Sequence, residues 1–286
     1  HTAKAGALGR IAAYFARVPV ILHTFHGHVF YGYWPSGRSR IVVLLERFLA
    51  QLTTAIVTVS DNIRRDLMKF GVAPLDKVHV LPLGINLDQY INCASRRGEF
   101  RAELGIPQHI PLVGIVGRLV PIKNPNLFLQ TAYHMLSNGF DGYFAVVGGG
   151  ELALTLTRTA GELDIANRVY FVGWRSDLDR VYADLDVIVN TSSNEGTPVS
   201  LMEAMAARVP VVAMAVGGVP DMITPENTGY LVPSNGDVEA LETAIHQALS
   251  TPESLLDAAQ KSVLERHSVV PMLTRISDLY HMLLAG

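Results

Sequence analysis

Short runs of β-branched and aromatic residues alternate with helix-patterned stretches along almost the whole chain, and this alternation limits the possible folds more than any other feature. Strand-like runs are read at PLVGIVG (111–117), GYFAVVG (142–148), NRVYFVGW (167–174), LDVIVNTS (185–192), VPVVAMAVG (209–217) and GYLVP (229–233). Helical patterns separate them, and strand starts recur roughly every 20 to 30 residues, as right-handed parallel crossovers require. A series of βα units of this kind is a doubly wound parallel sheet. An earlier and shorter series holds strands at VPVILHTF (18–25), TAIVTVS (54–60) and VHVLPLGIN (78–86). Its helices are AGALGRIAAYFAR (5–17), SRIVVLLERFLAQL (39–52) and DNIRRDLMKFG (61–71), the last with Ser60 as N-cap. Residues 85–110 break the rhythm and suit a linker with a short helix. The expected division is therefore 1–86, 87–268, and a final helix over 269–286 that begins after Pro271.

Bulk properties exclude several classes. Hydrophobic residues make up 49% and charged residues 17%, a globular composition. The net charge of −3 gives no reason to expect a nucleic-acid partner. One cysteine, Cys93, excludes an internal disulfide and fits a reducing compartment such as the cytoplasm. No apolar run reaches the ~18 residues of a membrane span. The chain opens on HTAKAGALGR, with a helix and no strand before it, so the first unit is expected to be incomplete at its start.

In doubly wound sheets ligands sit beyond the carboxyl ends of the strands. After PLVGIVG come Arg118 and Lys123, on a loop that leads into a helix. Two cations there suit a diphosphate, although either alone could be a solvated charge. After GYFAVVG stand Gly148, Gly149 and Gly150, which allow close backbone approach or a tight turn. GGGELA lacks the third glycine of a dinucleotide fingerprint, which weakens a nicotinamide or flavin reading. After LDVIVNTS comes SSNEGTPVSLMEA, with Glu195 in the loop, Thr197 as helix cap, Pro198 in the first turn and Glu203 eight residues beyond Glu195. Carboxylates accept hydrogen bonds from sugar hydroxyls; cations do not. The set reads as cations for phosphate and carboxylates for sugar and ribose.

Of the three histidines in HTFHGH, His26 is best placed to face a cleft, ahead of His23 and His28; no acidic partner nearby supports a metal site. The Asp-Leu-Asp tripeptides at 177–179 and 184–186 lie on a helix and at a strand entry, where structural roles are the simpler reading. No metal is expected.

Taken in order, HTFHG (23–27), GRLVPIKN (117–124), VGGGEL (147–152), VYFVGW (169–174), EGTPVSLME (195–203) and VVAMAVGGVPDMI (211–223) resemble the retaining glycosyltransferases of family 4, with the GT-B fold. The resemblance implies two Rossmann-like α/β domains, the first one incomplete here, and transfer of a sugar from a nucleoside-diphosphate sugar, UDP by default, with retention. It implies that Arg118 and Lys123 bind the diphosphate, Glu195 the donor sugar and Glu203 the ribose. Gly196, Thr197, Pro198 and Val199 would approach sugar and phosphates; Val172 and Gly173 would line the base pocket; His26 would face the sugar from the other domain. The donor is a substrate, and no further cofactor is implied. The acceptor would be a glycan or a lipid-linked glycan. RSRIVVLLERFLAQL (38–52) could lay a basic amphipathic face on anionic lipid at the inner face of a membrane, though packing on the sheet is the simpler explanation of its pattern. A nucleotide-sugar epimerase and a non-catalytic nucleotide-sugar binding module are the alternatives. A chain lacking the start of its acceptor side is expected to leave a sheet edge exposed and to transfer poorly.

Overall fold

The computed structural model describes residues 1–27 and 36–285, the side chains of 36–39 excepted; His28 lies outside the described residues. The first unit opens with α1 (Ala3–Phe15), β1 (Leu22–Phe25), α2 (Ser36–Gln51), β2 (Ala55–Thr58), α3 (Asp61–Lys69) and β3 (Val78–Val80). The strands form a parallel sheet of order β1-β2-β3 among the described residues. Ser60 caps α3, its Oγ accepting from the Ile63 amide at 3.3 Å. Helix α2 buries Val43, Glu46, Leu49 and Ala50, and leaves Ile41, Leu44, Leu45 and Phe48 exposed as a second stripe.

The linker is a chain of short helical turns, α4 (Asp88–Ile91), a 3-10 turn at Cys93–Arg96 and α5 (Glu99–Leu104). Asp184 organises it from the second unit. Its carboxylate accepts from the amides of Gly98, Phe100 and Arg101 at 2.6, 2.8 and 2.9 Å. Arg101, fully buried, returns two hydrogen bonds, to the Asp184 carbonyl and the Asp186 carboxylate. Arg96 pairs with Asp179. Both Asp-Leu-Asp segments are thus engaged with structural arginines.

The second unit runs β4 (Leu112–Val116), α6 (Pro125–Ser137), β5 (Tyr143–Val147), α7 (Ala153–Glu162), β6 (Val169–Gly173), α8 (Leu178–Asp184) and β7 (Val187–Asn190). It continues through α9 (Val199–Ala206), β8 (Val211–Met214), α10 (Val219–Met222), β9 (Tyr230–Val232), α11 (Val238–Leu249) and α12 (Glu253–His267). The sheet is parallel, of order β6-β5-β4-β7-β8-β9. The chain winds outward from β4 in one direction and from β7 in the other. The reversal opens a crevice at the carboxyl ends of this adjacent pair. Central strands are buried on both faces, which explains their continuous rather than alternating apolar runs.

The last helix, α13 (Val269–Ala285), starts before Pro271, not after it as the sequence suggests. Proline is tolerated there because first-turn amides have no intrahelical acceptor to lose. Met272, Ile276, Leu279 and Tyr280 face Leu22, Val57 and Leu81 of the first sheet across an apolar hollow.

Candidate active site

The β4–β7 crevice brings two loops together. Gly117 and Arg118 leave β4, and a 3-10 turn (Pro121–Lys123) presents Lys123. Thr191, leaving β7, pins that turn with its hydroxyl, which donates to the carbonyls of Lys123 at 3.0 Å and Asn124 at 2.9 Å. The Ser193 amide donates to the Ile122 carbonyl. Lys123 Nζ consequently reaches Glu195 Oε1 at 2.5 Å. The same oxygen accepts from Ser192 Oγ at 2.6 Å and Asn190 Nδ2 at 3.2 Å, whereas Oε2 accepts from none of these donors. Glu195 is buried, but Arg118 is exposed and makes no ion pair among the described residues. Its guanidinium is free to meet an anion.

The glycines have mechanical roles. A Cβ on Gly148 would stand 1.9 Å from the Gly117 carbonyl, and one on Gly150 would stand 2.4 Å from that of Leu119. Two of the three consecutive glycines therefore let the β5 exit press against the backbone of the Arg118 loop. A Cβ on Gly196 would lie 1.6 Å from the His26 carbonyl, so here the two units touch backbone to backbone.

His26 follows β1 opposite this point, with Nε2 2.9 Å from Nδ1 of His1. Burial lowers its pKa, and the chain's amino terminus adds to the effect. His26, Gly27, Arg118, Lys123, Glu195 and Gly196 line one cavity of about 450 Å³, together with His23 and Glu46. Glu46 forms a buried pair with Arg10 at 2.8 Å.

Other candidates fall elsewhere. Glu203 does not line this cavity: its oxygens accept from Tyr90 Oη at 2.9 Å and Tyr182 Oη at 2.8 Å. Burial raises its pKa, and the two tyrosine hydrogen bonds oppose that rise. Val172 and Gly173 end β6, next to a largely exposed Trp174 whose indole lies against Gly149. Val199 is partly exposed at the start of α9, and Pro198 is buried behind it. Thr197 does not cap the helix. Pro198 is extended (ψ 115°) and is itself the N-cap, so helical geometry starts at Val199, too far on for the Thr197 hydroxyl to reach. That hydroxyl is buried without a hydrogen-bond partner among the described residues.

Sequence reasoning missed the supports: Asn190 and Ser192 on Glu195, Tyr90 and Tyr182 on Glu203, and the Arg10–Glu46 pair. Asn190 and Ser192 were findable, lying five and three residues before Glu195 on the same strand exit. Tyr90 is separated from Glu203 by 113 residues and had no sequence signal.

Two Rossmann-like units facing each other across a crevice that sets an exposed and a paired cation beside a buried carboxylate define a protein of the GT-B fold. The chain belongs to the group 1 glycosyl transferases, whose family model matches residues 96–263, and the model of Glycosyltransferase Family 4 matches residues 1–89. The Escherichia coli UDP-Gal:alpha-D-GlcNAc-diphosphoundecaprenol alpha-1,3-galactosyltransferase is 28% identical over 98% of this chain and 73% of its own length. A D-inositol 3-phosphate glycosyltransferase of Corynebacterium aurimucosum is 30% identical over 76% of this chain; the match spans only 55% of that relative. In fold, Anabaena HepE in complex with UDP-glucose superposes with a TM-score of 0.86 at 23% identity, over 98% of this chain and 77% of that one. Sucrose-phosphate synthase from Thermosynechococcus elongatus gives 0.81 at 25%, over 98% and 72%.

Proposed function

We propose that the protein transfers a sugar from a UDP-sugar to an acceptor hydroxyl with retention of configuration, and that the β4–β7 crevice is where the donor reacts. The observation that carries this reading is the Lys123–Glu195 contact at 2.5 Å beneath the unpaired Arg118, in a cavity closed by His26. Cleaving a sugar–phosphate bond builds negative charge on the diphosphate and positive charge on the ring. Arg118, Lys123 and the positive end of α9 offset the first. Glu195 Oε2 accepts from a donor-sugar hydroxyl while Oε1 stays anchored. Retention then proceeds by same-face attack, with the leaving phosphate taking the acceptor's proton.

In this reading residues 1–86 serve the acceptor, residues 87–268 hold the donor, and 269–286 tie the two together. His26 faces the sugar. Gly196 to Val199 approach sugar and phosphates, and Val172 and Gly173 flank the base. Glu203 takes the ribose with the lone pairs that Tyr90 and Tyr182 leave. The E. coli relative, named for a diphosphoundecaprenol-linked acceptor, supports a lipid-linked glycan as acceptor; with such an acceptor the protein would work at the cytoplasmic face of a membrane. The exposed stripe of α2 suits peripheral contact there; no helix among the described residues is long and apolar enough to cross a membrane.

Calorimetry with UDP-, GDP- and ADP-sugars, with and without chelator, tests the proposal. Binding of a UDP-sugar that survives chelation and is lost in Arg118→Ala is expected. Indifference to Arg118, or a strict need for magnesium, would refute the site as drawn. Incubation with donor alone separates transfer from epimerisation: an epimerised donor would end the transferase reading.

A further inference from the structure

Behind the Glu195–Thr197 segment, on the side away from His26, lies a second hollow of about 280 Å³ between the two units. Val59, Ser60 and Pro82 contribute from the first sheet, Thr197, Gly218 and Asp221 from the second unit, and Arg266, His267 and Arg275 from the α12–α13 junction.

Its polar groups are unevenly satisfied. Asp61 pairs with Arg64, and Asp221 accepts from the Asn62 amide at 2.6 Å and faces Arg65 at 3.5 Å. Arg266, exposed, and Arg275, half-buried, have no carboxylate partner among the described residues; Arg275 donates to the Arg266 carbonyl at 2.9 Å. His267 is 4% exposed. Its Nδ1 lies 2.8 Å from the Leu83 carbonyl, which can only accept, so Nδ1 carries the proton. Nε2 of the neutral ring is then a bare acceptor, and it is buried with no partner among the described residues, as is Thr197 Oγ1. Burial, with Arg266 and Arg275 nearby, lowers the His267 pKa and keeps the ring neutral.

Buried polar atoms without partners are few in native proteins, and each calls for an explanation. Two guanidiniums ask for an anion. A bare imidazole nitrogen asks for a hydrogen-bond donor, and the threonine hydroxyl can give or accept. An anion alone answers the first demand only. A phosphate monoester with a free alcohol answers all three, the phosphate between the arginines and the alcohol on His267. We propose that this hollow is a second ligand site, for a small polyol or sugar phosphate monoester, distinct from the donor crevice and separated from it by the Gly196–Thr197 backbone.

That wall is thin. A Cβ on Gly218 would stand 2.0 Å from the Gly196 carbonyl, and one on Gly217 would stand 1.8 Å from that of Glu195. An occupant touching Thr197 therefore bears on the segment that carries Glu195.

The test is calorimetry on the 286-residue chain with glycerol 3-phosphate, with inorganic phosphate as the second arm, each without and with UDP. Saturable binding of glycerol 3-phosphate is expected, at least tenfold tighter than inorganic phosphate. It should weaken at least tenfold in Arg266→Gln/Arg275→Gln and in Thr197→Val, and persist in Arg118→Ala. Circular dichroism and a thermal midpoint establish that each variant is folded. Absence of binding, equal binding of inorganic phosphate, displacement by UDP, or loss in Arg118→Ala would each overturn the proposal. The Arg118→Ala arm separates failure here from failure of the donor reading, because it needs no donor to bind.

Discussion

One oxygen of Glu195 accepts from Lys123, Ser192 and Asn190, and this fixes the carboxylate without consuming its second oxygen. Arg118, by contrast, makes no side-chain hydrogen bond or ion pair among the described residues. Removing it should cost transition-state stabilisation on the order of 2–4 kcal/mol, the scale of one electrostatic donor. Steady-state kinetics of Arg118→Ala should therefore show kcat/KM falling by roughly one and a half to three orders of magnitude. His23 gives a stability prediction. Burial above all, then Arg10, the amino terminus and His26, lower its pKa from 6.5 to about 3. The unfolded chain binds the proton first, so His23's contribution is complete above about pH 6.5 and is lost as pH falls toward 3. Urea midpoints for the wild type should fall between pH 7 and pH 5, and more steeply than in His23→Asn. His267, lowered in the same direction, leaves a residual slope. Four site residues that the sequence singles out, His26, Arg118, Lys123 and Glu195, do share one cavity. Each directly follows a strand or its first turn, and strand ends are legible. Glu203 sits inside a helix, where sequence spacing fixes its face but not which distant side chains fill the space before it. Tyr90 and Tyr182 fill it.

At the scale of elements, each strand read from its apolar run in the second unit is present, trimmed to the part that pairs. Apolar character extends past the paired residues into strand exits such as Leu119 and Val216, which are buried without belonging to a strand. Thr-Pro signals a helix start without saying which residue turns first, so the Thr197 cap it suggests gives way to Pro198 at the start of α9. The linker was legible only as an absence of pattern, since its order comes from Asp184, 83 residues beyond Arg101. Asp184 and Arg101 are both fully buried. Asp184→Ala would strip three amides of their acceptor and leave the guanidinium short of charge, at a cost of about 3–5 kcal/mol. Chemical denaturation should register that loss. The α2 stripe has a comparable lesson: its apolar periodicity was clear, yet it buries one face and exposes another, and composition alone could not apportion them.

For the whole molecule, donor binding and stability are linked. If the crevice takes UDP only when folded, UDP at a hundredfold excess over its Kd should stabilise the chain by about 2.7 kcal/mol. Thermal unfolding with increasing UDP should show a rising midpoint, and a flat one would contradict the donor reading. The way the units are joined governs how they can move. The chain passes between them near Ile85 and again near Ser268, and the two passages run side by side, the Ile85 amide donating to the His267 carbonyl at 2.9 Å. Two coupled segments resist twisting more than a single tether would, so swinging about one line is favoured over free rotation. A protease cut in either passage would leave the other still bridging, and the halves should travel together on a sizing column until denaturant parts them.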